Sequence, residues 1–280
     1  MDLIKFDNVS FSYFTDEGET RVENKVLENF NLTIEEGSFT AILGHNGSGK
    51  STIAKLTNGI LFPDSGSVTV CGMVTKNDDS IFEVRRQVGM VYQNPDNQIV
   101  SSIVEEDVAF GVENLGVPSD ECRRRVDEAL KTVGMYEFRD KSPNRLSGGQ
   151  KQRVAVAGII AMKPRCIVLD EPTAMLDPSG RREVIDTVLK LNQEEGITIL
   201  LITHNMDEAV RADRVVVVDD GVVKLDGTPR EVFSDIAAVE NLQLDAPQST
   251  KLAFALGLNE DTTILNSQEC ADALYGILKH

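Results

Sequence analysis

Residues 44–51 read Gly44-His45-Asn46-Gly47-Ser48-Gly49-Lys50-Ser51, a complete G-x-x-x-x-G-K-S, and Thr52 follows it. The apolar run 39–43 precedes this stretch, and Ile53, Leu56 and Ile60 follow it at helical spacing. A strand before and a helix after turn the pattern into a phosphate-binding loop. Glycines let the backbone approach phosphate oxygens with no Cβ in the way, and successive N–H groups form an anion nest. Lys50 brings a point charge for β- and γ-phosphates, Ser51 a hydroxyl for Mg²⁺, and the helix N-terminus its dipole.

Outward from the loop, short β-branched runs at 3–9, 88–92, 166–169, 198–203 and 214–219 alternate with helical patterns, the mark of an α/β chain. Asp219-Asp220-Gly221 reads as a hairpin turn into 222–225. Residues 15–25 read as a polar insertion between two early strands. From about 101 to 163 the strand signal stops, which predicts an inserted α-helical subdomain. Within it, Ser102-Ile103-Val104-Glu105 is a capping box opening a stripe of Val104, Val108, Val112 and Leu115. Thr228-Pro229-Arg230-Glu231 starts another helix.

The tail, 241–280, predicts two short helices. One runs through 250–256 and stops at Gly257; the other opens with Asn266 and Glu269 and carries Cys270, Leu274, Ile277 and Leu278. So small a piece cannot bury that stripe alone, so it packs either on its own chain or on a partner's tail.

Two further stretches carry chemistry. Cys166-Ile167-Val168-Leu169-Asp170-Glu171 is an apolar strand ending in two carboxylates. By itself that is an ordinary strand exit; beside the phosphate loop, Asp170 suits Mg²⁺ and Glu171 suits a general base polarising the attacking water. Leu146-Ser147-Gly148-Gly149-Gln150 leads a helical run, with Ser147 and Gln150 at capping-box spacing, so amides cluster at a second helix N-terminus able to face a γ-phosphate.

The 280 residues are 41% hydrophobic and 26% charged, ordinary globular usage, with a net charge of −17. So acidic a surface is repelled by nucleic-acid phosphates and anionic lipids, which excludes a basic nucleic-acid binder. The four cysteines are scattered, which fits a reducing cytosol better than a zinc site or disulfide framework. The first residues lack the pattern of a signal peptide, and the longest apolar stretch, 154–162, falls far short of the ~20 residues a spanning helix needs.

Taken in order, these motifs resemble the nucleotide-binding subunit of an ATP-binding cassette (ABC) transporter over roughly residues 1–235. The resemblance implies an α/β P-loop ABC ATPase core with an antiparallel β subdomain, the inserted helical subdomain and a small helical C-terminal dimerisation domain at 241–280. It also implies further roles. Tyr13, or Phe14 beside it, would stack on adenine. Gln93 would touch Mg²⁺ and the attacking water, and His204 would sense the γ-phosphate. Ala174-Met175-Leu176-Asp177 would be the D-loop, keeping its aspartate but differing at the first two positions. ATP and Mg²⁺ are the implied cofactors, with Gly44 to Thr52, Ser147, Gly148, Gly149, Gln150 and Asp177 around the nucleotide, and Ser51, Gln93 and Asp170 around the metal.

Within that family, YQNPDNQIV at 92–100, SGGQKQRVAVAG at 147–158, TAMLDPSGR at 173–181 and LDAPQSTKLA at 244–253 are similar to ATPases of energy-coupling factor (ECF) importers of vitamins and metal ions. GHNGSGKST favours the first of the two ATPase types in such systems. One phosphate loop and one copy of the family's signature sequence, residues 146–150, per chain imply a dimer, with a second, related ATPase as the expected partner. A transmembrane coupling subunit and a substrate-binding membrane subunit would complete the assembly, placing this chain peripherally on the cytoplasmic face of the cell membrane, with no nucleic acid. Another class of ABC importer is the main alternative. A soluble non-transport ABC ATPase would usually carry two cassettes or a coiled-coil insertion, and neither is seen.

Overall fold

The computed structural model describes residues 1–17, 20–258 and 263–278, without the side chains of 16, 17, 20, 21, 277 and 278. Ile277 and Leu278 of the expected tail stripe therefore lie outside the described residues as side chains.

Two long strands, β1 (Asp2–Glu17) and β2 (Thr20–Glu35), open the chain as an antiparallel hairpin. Their apolar residues alternate inward, burying Phe6, Phe11, Phe30, Leu32 and Ile34. Residues 15–17 and 20–25 are not an insertion between strands. They belong to the outer arm of this hairpin, with Thr15 paired to Val22 and Tyr13 to Asn24. It reads as polar because an arm projecting past the core has no buried face to fill.

The phosphate-loop strand, β3 (Phe39–Leu43), is wholly buried and leads into α1 (Lys50–Thr57). Next, β4 (Ser65–Val70) and β5 (Met73–Val74) complete an antiparallel sheet in the order β2-β1-β4-β5. After α2 (Asp78–Gln87) and β6 (Val88–Val91) come three helices, α3 (Val104–Asn114), α4 (Ser119–Thr132) and α5 (Gly148–Ala161), which pack on one another. The chain then alternates through β7 (Cys166–Asp170), α6 (Pro178–Glu195), β8 (Thr198–Ile202), α7 (Met206–Ala209) and β9 (Arg214–Asp219). Finally β10 (Val222–Gly227) turns back antiparallel, and α8 (Pro229–Val232), α9 (Ile236–Asn241), α10 (Gln248–Ala255) and α11 (Ser267–Leu278) close the chain.

The second sheet has the order β10-β9-β3-β8-β7-β6, parallel except for β10. Both faces are covered, so its strands are apolar throughout rather than alternating. Phe39, Ala41 and Leu43 face the helical side, whereas Ile42, Val168 and Leu200 share a cluster with the antiparallel sheet. Parallel register places Val91 beside Leu169, and Asp170 and Ile42 beside Ile202, so four strands end along one edge. Ligands of such sheets bind at that carboxyl edge.

The expected capping box at Ser102 does not form. Ile103 is the cap of α3 and makes no side-chain cap bond. Asp107, inside the first turn, reaches back instead and accepts from the N–H groups of Val100 and Ser101 at 2.7 and 3.0 Å. The stripe itself is core: Val104, Val108 and Val112 are buried.

In the tail, α10 ends at Gly257, whose φ of +69° is the left-handed terminator expected there. Asn266 caps α11 by accepting from the Glu269 N–H at 2.9 Å, but Glu269 takes the Leu265 N–H rather than completing a capping box. Ala253, Ile264 and Cys270 form a small cluster of their own, with Leu274 against it. Leu244, Ala246 and Leu265 join the large core, and Arg230 pairs with Glu269 at 2.7 Å. The tail therefore packs on its own chain.

Candidate functional site

Lys50 is buried, and its ammonium donates to the carbonyls of Gly44 at 2.7 Å and His45 at 2.8 Å, which folds the loop over its own lysine. Burial lowers the lysine pKa, while Glu171 and Asp170 pull the other way. Gly49 has φ +103° and Gly47 φ +91°, values only glycine adopts freely. Gly44 fits for a different reason: a Cβ there would stand 2.3 Å from the Val218 carbonyl oxygen. The loop is also tied to the β9–β10 turn, where the Gly221 N–H donates to the Ser48 carbonyl at 3.2 Å.

Around this loop lies a cleft of about 310 Å³, lined among others by Tyr13, Asn46, Gly47, Lys50, Ser51 and Glu171. Tyr13 rather than Phe14 reaches it, and the Tyr13 hydroxyl lies 3.3 Å from the Thr52 hydroxyl. Two lining residues went unrecognised in the sequence, Asn24 and Val26 of β2. The alternation running through 22–34 was the signal that could have extended β2 back to them.

At the sheet edge, Ser51 Oγ donates to Asp170 Oδ1 at 3.0 Å across 119 residues of sequence. Burial raises the Asp170 pKa, against which the Ser51 hydrogen bond acts. Beside it, Glu171 Oε2 accepts from Gln93 Nε2 at 3.3 Å and stands 3.5 Å from His204 Nδ1. Glu171 itself sits at φ +49°, a left-handed conformation that costs a residue with a side chain ~1–3 kcal/mol and persists only where neighbours impose it. Its N–H donates to the Ile202 carbonyl at 2.9 Å, joining the ends of β7 and β8.

The cleft residues fit a nucleotide and a hard cation. Ser48 Oγ is buried inside the loop and has no partner, the kind of orphan that an added polar group satisfies. The Ser51 hydroxyl, the Asp170 carboxylate and the Gln93 amide oxygen form an oxygen-donor set suited to Mg²⁺.

Some expected site residues lie elsewhere. The His45 ring does not line the cleft; its Nε2 is 3.0 Å from Asp219 Oδ1 and its Nδ1 is 2.8 Å from the Asn46 carbonyl. Only its backbone serves the loop. Ser147 caps α5 in the expected box, accepting from the Gln150 N–H at 3.3 Å while Gln150 Oε1 takes the Ser147 N–H at 3.0 Å. Ser147, Gly148, Gly149 and Asp177 line a second cleft of about 400 Å³ with Leu176, apart from the phosphate loop of the same chain. Asp177 caps α6, accepting from the Gly180 N–H at 3.0 Å. There the two helix starts touch: a Cβ on Gly149 would lie 3.1 Å from Gly180 Cα, and one on Gly180 2.9 Å from Asp177 Oδ1.

Residues 27–174 match the family described as ABC transporter, and the chain belongs to that family. Among its relatives, the energy-coupling factor transporter ATP-binding protein EcfA1 of Clostridium novyi (strain NT) is 55% identical over 98% of both chains. EcfA1 of Caldanaerobacter subterraneus subsp. tengcongensis is 58% identical, over 96% of this chain and 98% of its own. Of solved structures, cbiO1 from Clostridium perfringens, part of the ABC transporter complex cbiONQ, superposes with a TM-score of 0.76 at 37% identity, covering 91% of this chain and 99% of that one. The ATP-binding cassette MJ0796, solved as a post-hydrolysis dimer with ADP and Pi, gives 0.71 at 33% identity, covering 81% and 99%.

Proposed function

We propose that the chain is the ATP-binding and ATP-hydrolysing subunit of an ECF-type membrane transporter, an importer of vitamins or metal ions. One observation carries the chemistry: Glu171, beside the phosphate-loop cleft, has its carboxylate within 3.3 Å of Gln93 and 3.5 Å of His204. Lys50 and the loop amides hold the β- and γ-phosphates, Thr52 and Ser48 add hydroxyls, and Tyr13 lies against the adenine. Glu171 takes a proton from the attacking water, which Gln93 and His204 orient. Ser51, Asp170 and Gln93 would hold Mg²⁺, which supplies charge neutralisation at the phosphates.

The separation of Ser147 to Gln150 and Asp177 from the phosphate loop of their own chain supports a head-to-tail dimer, in which each signature covers the partner's nucleotide. The partner is a second ECF-type ATPase. Leu252, Phe254, Leu256 and Tyr275 are 49–63% exposed on α10, just beyond its end, and on α11, and they support a dimerisation role for 241–280. Between α3 and α4 a groove of about 820 Å³ holds exposed Phe110 and Val100 at its rim and would receive helices of the transmembrane coupling subunit. No described helix is long and apolar enough to cross a membrane; the chain would attach through the coupling subunit, peripherally on the cytoplasmic face. Copurification from solubilised membranes tests this reading. Recovery of a second related ATPase with two hydrophobic subunits, and of ATP hydrolysis by the assembly, is the expected result; an isolated chain in the soluble fraction would refute it.

A further inference from the structure

Glu208 is 4% exposed, yet no lysine, arginine or histidine pairs with it among the described residues. A buried carboxyl without a cation is costly unless hydrogen bonds satisfy it. Three do. Thr203 Oγ1 donates to Oε2 at 2.7 Å, Asn205 Nδ2 donates to Oε1 at 3.3 Å, and Thr173 Oγ1 donates to the same Oε1. Thr203 and Asn205 flank His204, whereas Thr173 stands two residues after Glu171.

Helix capping does not account for this arrangement. Asn205 already caps α7, accepting from the Asp207 N–H at 3.0 Å. In a capping box Glu208 would take the Asn205 N–H, but that N–H goes to Thr203 Oγ1 at 3.0 Å. The Glu208 carboxyl is thereby left to reach across to the turn after β7. Thr173 and Thr203 are themselves 4% and 2% exposed, so neither hydroxyl has water as a substitute partner.

We infer that Glu208 is a positioning residue, a clasp that joins the His204 loop to the turn carrying Glu171 and so sets the contact between those two side chains. This rests on the proposed roles of Glu171 and His204. The left-handed Glu171 backbone makes such a restraint necessary, because a residue at φ +49° keeps its direction only while its surroundings hold it. Besides the clasp, the polar links between the turn and the end of β8 among the described residues are the backbone bond from Glu171 to Ile202 and the Glu171–His204 contact itself. The clasp is thus the side-chain restraint that does not involve the two residues being positioned.

The test uses the full chain in its copurified membrane assembly. Glu208→Ala is expected to lower kcat roughly 10- to 100-fold, the size of effect a misplacement of about 1 Å produces. KM for ATP should stay within about threefold, since the phosphate loop is untouched. Thr173→Val deletes one hydroxyl at constant volume and should lower kcat in the same sense, which keeps the test decisive if the alanine variant folds poorly. Glu208→Gln can accept from one threonine and donate to the other, and is expected to restore kcat to within about threefold, the worth of a weakened hydrogen bond. Wild-type kcat in both Glu208→Ala and Thr173→Val, with Glu171→Gln inactive, would overturn the clasp alone. Turnover surviving Glu171→Gln would instead overturn the roles on which the clasp rests.

Discussion

Gln93 Nε2 and Glu171 Oε2 lie 3.3 Å apart although 78 residues separate them. The contact exists because β6 and β7 run parallel in a register that sets Val91 beside Leu169, so their exits emerge side by side. The helical segment that follows Gln93 thus begins at a hydrogen bond to the proposed base. A nucleotide drawing Gln93 away from Glu171 would move that segment directly.

Glu171→Gln keeps the shape and the hydrogen bond from Gln93 while removing the base. ATP should still bind, and turnover should fall about 10²- to 10⁴-fold. Steady-state hydrolysis by the assembled complex, beside nucleotide retention on the same sample, checks both halves.

Lys50→Ala acts earlier. It removes the phosphate charge and also the two bonds that close the loop onto Gly44 and His45. Nucleotide affinity itself should drop, in contrast to Glu171→Gln, and titration with a fluorescent ATP analogue separates the two.

Asp96 is exposed on the segment after Gln93 and pairs with Lys151 of α5 at 2.7 Å. Asp96→Lys should uncouple transport from hydrolysis while sparing ATP binding. Asp96→Asn, which loses the pair without reversing charge, should be milder, because exposed ion pairs contribute only ~0–1 kcal/mol. Crosslinks from this segment should map to the transmembrane partner; crosslinks mapping only elsewhere would contradict the docking groove.

Arg230 holds Glu269 below the usual carboxylate range through their hydrogen bonds. A depressed folded value means the stabilisation is present above the ordinary glutamate value of 4.5 and is lost as pH falls below it through the folded value. Arg230→Ala at neutral pH should therefore speed amide exchange in α11 as acidification does in the parent. Exchange unchanged by either would show that the apolar contacts of Leu265 and Cys270 alone hold the tail.

Truncation after Asn241 removes Leu244, Ala246 and Leu265 from the main core as well as the exposed residues of α10 and α11. Loss of nucleotide-free dimerisation by the truncated chain in sedimentation, with its thermal midpoint also lowered, is the expected outcome. Equal association of truncated and full-length chains would leave the tail with a packing role only.

The parts of the site legible in the sequence are those that local chemistry dictates. A strand, a glycine turn and a helix start fix 44–51 wherever they occur, and Asp170, Glu171 and His204 each follow a short apolar run that the sheet has to bury. What stayed hidden depends on contacts far along the chain. Asn24 and Val26 join the cleft because β2 pairs with β1 in register, while the composition there suggests only a polar excursion. The His45 ring turns to Asp219, a choice made by a hairpin more than 170 residues later. Asp107 outcompetes Ser102 at the start of α3 because a carboxylate one turn inside can reach two amides at once. One of the three hydrogen-bond donors to Glu208 is a threonine 35 residues earlier.

The close approach of Gly149 to Gly180 restricts how this surface can change over time. Most packed pairs drift by exchange, one side chain growing as its neighbour shrinks. Here both positions already carry the smallest residue: a Cβ on Gly149 would press on Gly180 Cα at 3.1 Å, and one on Gly180 would press on the capping Asp177 carboxylate at 2.9 Å. Neither glycine can shrink further to make room for growth in the other. A lineage that enlarged either glycine would therefore have to shift the helix capped by Asp177 against the helix that Ser147 caps, and so reshape the cleft the two helix starts share.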